Sequence, residues 1–231
     1  RMNALTPPPF FDTLTTATDA DKKHLLSAPI IQRGLEGRIN IDDYLGFLQQ
    51  AYHHVKHTVP LLMAVGSRLP DEQEWLRQAV AEYIEEEIGH QEWILNDIAT
   101  CGYDSDVVRQ GQPNPATELM IAYAYDTVMR VNPVGFFGMV HVLEGTSVNI
   151  AETVADNVRG TLGLPQNAFS YLYSHGSLDK EHVTFFEGLM NRIDSPQDQA
   201  QVIHSARMFY RLYGDLFRSL NDVSHNIPRT A

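Results

Sequence analysis

Apolar side chains recur every three or four residues along most of the chain, the period of helices with one buried face, and no segment alternates as a strand would. Capping residues and prolines divide this pattern into elements. Asp19 or Asp21 caps a first helix through His24, Leu25, Leu26 and Ile30, with Pro29 as a kink or end and Gly34 and Gly37 as a break. Asn40-Ile-Asp-Asp caps a longer helix, 44 to about 59, that Pro60 disturbs. After Pro70, Asp71-Glu-Gln-Glu starts what reads as one continuous helix through Trp75, Leu76, Val80, Ile84, Ile88 and Trp93, ending near Ala99 before Gly102. Further helices are predicted over 118–130, 134 to about 158, a short stretch 165–173, 178–193 and 198–220. Seven or eight helices with short connections make an all-α, bundle-like domain. The 231 residues contain no linker-like break, so a single domain 1–231 is expected, with about 1–18 and 222–231 as flexible tails.

Charge and cysteine content narrow the partners. A net charge of −12 argues against nucleic acid or an anionic membrane surface, which call for clustered Lys and Arg. Cys101 is the single cysteine, and neither an apolar leader nor a run of eighteen apolar residues occurs. These features predict a soluble, cytoplasmic protein.

The chemistry concentrates in His175-Gly-Ser-Leu-Asp179-Lys-Glu-His182. At i, i+4 and i+7 the two imidazoles and the carboxylate fall within roughly 60° of one another on a helix. Nitrogen and carboxylate oxygen on one face suit a transition metal such as iron, manganese or zinc. Upstream, Glu85-Glu86-Glu87-Ile-Gly-His90 offers Glu86 and Glu87 at i−4 and i−3 from His90, with Glu87 favoured by the Glu-x-x-His spacing. Glu144 lies in an apolar run, where a carboxylate is costly unless paired or bound to a cation. His141, three residues earlier, could donate to it, although a core histidine is the commoner role. His53 and His54 are site candidates on different faces of their helix, and periodicity does not say which turns inward. Tyr83 stands seven residues before His90, as a redox-active or a packed aromatic. His24 could serve as a haem axial ligand or be an ordinary surface residue. Lys56, Arg68 and Arg130 could anchor a substrate carboxylate.

In order and spacing, Glu-x-x-His, a Glu 54 residues beyond that His, and His-x-x-x-Asp-x-x-His 31 residues later resemble the haem-oxygenase-like di-metal oxidases. These share the seven-helix fold of TenA-type proteins and pyrroloquinoline-quinone synthases. The stretch from Leu35 through Tyr52-His-His-Val-Lys is similar to the second-helix region of that superfamily, so the likeness spans about His24 to Leu220. The resemblance implies metal ligands at Glu87, His90, Glu144, His175, Asp179 and His182, with one or two ferrous ions per chain or manganese in their place. It departs from the group where a further carboxylate is often found, since His53, His54 and Tyr83 stand there. The implied activity is O2-dependent oxidation of a small amino-acid-like or fatty-acid-like substrate, with a homodimer as a common assembly. Two alternatives use the same scaffold. One is a TenA-like hydrolase, which needs an activated cysteine, or a cofactor-independent oxidase like the pyrroloquinoline-quinone synthases. The other is a helical binding protein without catalysis.

Overall fold

A computed structural model of the protein describes residues 6–220 and 225–231, the side chains of 178–180 excepted. Twelve α-helices occur among them: α1 Phe10–Ala17, α2 Asp19–Leu26, α3 Pro29–Leu35, α4 Ile41–Val55, α5 Thr58–Arg68, α6 Glu74–Glu87, α7 His90–Thr100, α8 Ser105–Gln110, α9 Pro115–Asp126, α10 Phe136–Leu162, α11 Ser170–Arg192 and α12 Pro196–Ser219. The only strand-like pairing among the described residues is one bridge, Tyr103 to Arg229. The all-α class follows the sequence periodicity, and the higher helix count comes from breaks inside predicted helices and from α1 and α8, which lie outside them.

One break changes the site. Where periodicity predicts one helix over 71–99, Ile88 is extended and Gly89 takes φ +88°, so α6 ends at Glu87 and α7 begins at His90. Ile84 and Trp93 remain partly buried on either side, so the apolar rhythm survives the break. A left-handed φ is accessible to glycine at little cost, which is what this corner requires. Similarly, α4 stops at Val55 and α5 restarts at Thr58, before Pro60.

The amino-terminal expectation also needs correction. Residues 10–17 form α1, whose Phe10 and Leu14 are buried in the common core. At the other end, 225–231 is held against the α7–α8 connection: Asp104 N donates to Pro228 O, Thr230 N donates to Gly102 O, and Ile227 is buried. Helix α8 lies outside the predicted elements, and α11 starts at Ser170, so it joins the end of the predicted 165–173 stretch to the helix expected from 178.

Helix α10 packs against both α11 and α12, α7 packs on α11 and on α4, and ring contacts join α4 to α12 through Phe47 and Phe217 and α6 to α10 through Tyr83 and Phe137. Close approach of α10 to α12 depends on Gly138, where an added Cβ would lie 2.5 Å from the backbone nitrogen of Ala206. Asn40 caps α4 in a reciprocal box with Asp43, whose side chain also receives a hydrogen bond from Arg33 at 2.9 Å.

Candidate metal centre

Three helices deliver the first donor set. Glu87 closes α6, His90 opens α7 and His175 projects from α11, and one donor atom of each lies within 4.8 Å of the others. Two donors about 2.1 Å from a shared cation are separated by roughly 3–4 Å, so this convergence is of the right scale for a metal. His90 Nδ1 approaches Glu87 Oε2 to 3.1 Å but lies off hydrogen-bonding direction, so the contact is an ion-pair approach. The two residues are not neighbours on one helix surface, as the i+3 spacing suggests. They face each other across the Gly89 corner.

Burial pushes the Glu87 carboxyl up, but His90, His175 and His182 outweigh it and hold the group below its ordinary range. The site therefore favours a carboxylate over a carboxylic acid. His175 Nδ1 is 3.0 Å from the Tyr171 carbonyl, which can only accept, so the proton sits on Nδ1 and Nε2 carries the ring's lone pair. His90 stacks on Trp93 at 4.0 Å and meets the His175 ring edge-on at 5.3 Å.

A second donor group lies beside the first. His182 Nε2 is 2.7 Å from Glu86 Oε2, and its Nδ1 is 3.9 Å from Glu144 Oε1. Glu86 is half-exposed, whereas Glu144 and His182 are largely enclosed. Sequence spacing had favoured Glu87 over Glu86; the structure gives each a histidine, because consecutive residues at the end of α6 diverge toward α7 and α11. The side chain of Asp179 lies outside the described residues.

A cavity beside the first set is lined by His54, Tyr83, Glu87, Glu144, Ser147 and His175, among others. His54, not His53, reaches it. The ring is 2% exposed, neither nitrogen has a hydrogen-bond partner, and burial, reinforced by His175, lowers its pKa to about 3. His53 is also fully buried, but it faces Tyr52 and lines neither this cavity nor the neighbouring one. Tyr83 sits between the rings of Phe137 and Phe185.

Several other sequence candidates fall elsewhere. His141 is a core histidine, stacked on Phe186 and 3.4 Å from Thr18 Oγ1. His24 is exposed on α2. Arg68 donates to the Val128 carbonyl, Arg130 pairs with Asp126 on the surface, and Lys56 lies over the Tyr52 ring. Burial pushes the Cys101 thiol up to about 12, the reverse of an activated nucleophile, and Cys101 lines neither cavity.

One positioning residue escaped the sequence reading. Asp97, fully buried on α7, accepts hydrogen bonds from Ser170 N (3.0 Å), Ser170 Oγ (2.5 Å) and Tyr171 N (2.9 Å). It thus caps α11 from a separate helix and ties the segment bearing His90 to that bearing His175. Among the described residues no helix is long and apolar enough to cross a membrane.

Comparison with known proteins agrees with this architecture. A structure from Shewanella denitrificans, a domain of unknown function with a haem-oxygenase-like fold, superposes with TM-score 0.81 at 23% identity, covering 93% of each chain. A TenA homologue from Pseudomonas syringae pv. tomato gives 0.79 at 12% identity over 96% of each chain. Haem oxygenase from Leptospira interrogans gives 0.74 at 12% identity, covering 92% of this chain and all of the other, 100%. At these identities the likenesses establish the fold. No curated protein matches the chain. The family model described as iron-containing redox enzyme matches residues 45–214, a span that takes in both donor groups. The chain therefore has the fold of the haem oxygenases and TenA homologues, and it belongs to the iron-containing redox enzyme family.

Proposed function

We propose that the protein is a non-haem iron oxidase or oxygenase that uses O2 to oxidise a small organic substrate held beside Glu87, His90 and His175. The observation carrying this reading is the convergence of one carboxylate and two imidazoles, from three helices, on one largely enclosed space. Mixed nitrogen and oxygen donors of this type suit ferrous iron, and the family description supports iron over manganese. Glu86, Glu144 and His182 would hold a second ion. Iron, when bound, supplies O2 binding and one-electron transfer.

The chain's own residues have separate tasks in this reading. Tyr171 fixes the His175 tautomer by accepting from Nδ1. Asp97 holds the first turn of α11 in register with α7. Neutral His54 offers the cavity an imidazole able to donate or accept a hydrogen bond from the substrate. Phe136, Met139 and Tyr83 keep the cavity wall apolar and limit water. A TenA-like cysteine hydrolase gains no support, because the Cys101 thiol is held protonated away from the cavity.

Metal analysis of protein refilled with ferrous iron under argon tests the proposal. Wild type should retain one or two irons and consume O2 with substrate, while His175→Ala and Glu87→Gln bind iron at least about tenfold more weakly. Undiminished iron affinity in both variants would refute the assignment.

A further inference from the structure

Beside the metal-site cavity lies a second one, walled by α3, α4, α10, α11 and α12, and the two share Ser147, Tyr171, His175 and Tyr213. We propose that this second cavity takes an uncharged apolar tail of roughly three or four carbons, belonging to the substrate whose reacting head lies at His175 and Glu87. The inference rests on the proposed metal site for the position of the head, and on the cavity alone for the nature of the tail.

Continuity is the first argument. The same side chains wall both cavities, so a molecule seated against His175 lies directly beside the second one, with Ser147, Tyr171 and Tyr213 at the boundary. Charge is the second. Ile30, Ile39, Ile150, Val154 and Phe47 dominate the lining, and apart from His175 the titratable groups that reach it are Asp43 and the hydroxyls of Tyr44, Tyr171 and Tyr213. Asp43 is already engaged by Arg33 at 2.9 Å and by the Asn40 backbone at 3.2 Å. Tyr44 spends its hydroxyl on the Ala168 carbonyl. An ammonium or carboxylate at the far end of a substrate would thus be desolvated with no unengaged opposite charge among the lining side chains, which disfavours a charged end. Size is the third. The cavity measures about 80 Å³, roughly half the ~150 Å³ apolar cavity that accommodates benzene, so the tail is short. Ala151, small and buried in the α10 wall, helps to leave that room.

Straight-chain alkyl hydroxamic acids, from acetohydroxamic to octanohydroxamic acid, provide the test, since the hydroxamate binds iron and only the tail varies. Calorimetry on the iron-loaded protein should show affinity rising about fourfold per added methylene for the first three or four carbons, then levelling. In Ala151→Leu, and separately in Val154→Phe, that rise should vanish, with iron content and helical circular dichroism verifying that the fold and metal site persist. Equal affinity along the series, a rise that continues through eight carbons, or a rise that survives both substitutions would overturn the proposal. Should the protein take up no iron, the metal reading fails. The cavity is then tested on metal-free protein by saturation-transfer NMR with 1-butanol, where transfer lost in Ala151→Leu supports the tail site and no transfer in wild type overturns it.

Discussion

Buried neutral histidines should make the iron-free protein sensitive to mild acid, and His54 provides the sharpest case. Its folded pKa is lowered from 6.5 to about 3, chiefly by burial. Below pH 6.5 the unfolded chain takes up a proton that the folded chain refuses until far lower pH, so folding stability is complete above 6.5 and is lost as pH falls. Each pH unit in this window costs about 1.4 kcal/mol per histidine, or about 2 kcal/mol at pH 5. Burial also lowers His53 and His141 to about 4, which brings the combined loss at pH 5 to about 6 kcal/mol. That is a large share of the ~5–15 kcal/mol typical of a folded domain. Urea unfolding of wild type and His54→Gln at pH 7.5 and 5.0, in the absence of iron, measures the effect. The variant should recover about 2 kcal/mol of the acid-induced loss, whatever its stability at pH 7.5. A pH dependence identical to wild type would show that the ring is hydrated or partnered in solution, and the reasoning would fail.

Other perturbations give distinct signals. Asp97→Ala strips three hydrogen bonds from the start of α11 and should cost about 3–5 kcal/mol in chemical denaturation; a loss below about 1 kcal/mol would contradict its role as a cap. Gly89→Ala forces a left-handed φ on a residue with a Cβ, although nothing lies within 4 Å of that position, so a destabilisation of about 1–2 kcal/mol is expected, with weakened iron retention; an unchanged melting temperature would argue that the corner can reshape. Gly138→Ala drives a Cβ against the Ala206 backbone and should cost at least about 1–3 kcal/mol by thermal melting, whereas a neutral result would mean that α10 and α12 can separate freely. Saturating ferrous iron under argon should raise the melting temperature of wild type by more than that of His175→Ala; equal shifts would place the stabilising ion elsewhere.

Much of the site was legible from spacing alone. His175 and His182 share a face because seven residues make nearly two turns, and the helix through them forms as that period requires. Glu87 and His90 lie together across the Gly89 corner and not along one helix surface, since Ile84 and Trp93 keep the apolar rhythm while the backbone turns at Gly89. Periodicity records which side is buried and is insensitive to such a corner. Residues 10–17 read as a tail because three prolines precede a short threonine-rich segment, yet Phe10 and Leu14 suffice to seat it. The inward choice between His53 and His54 depended on where α12 places Tyr213, which contacts the His54 ring from far along the chain. Asp97 was invisible for a related reason: its partners lie 73 and 74 residues away, and an isolated aspartate carries no mark of such a task.

That aspartate has a consequence for evolution of the site. Because its grip on Ser170 and Tyr171 is made entirely outside the donor cluster, the spacing between the two histidine-bearing segments is guarded by a strut that never meets the reactants. Residues facing the cavities can then be exchanged across a lineage while Glu87, His90 and His175 keep their distance from one another.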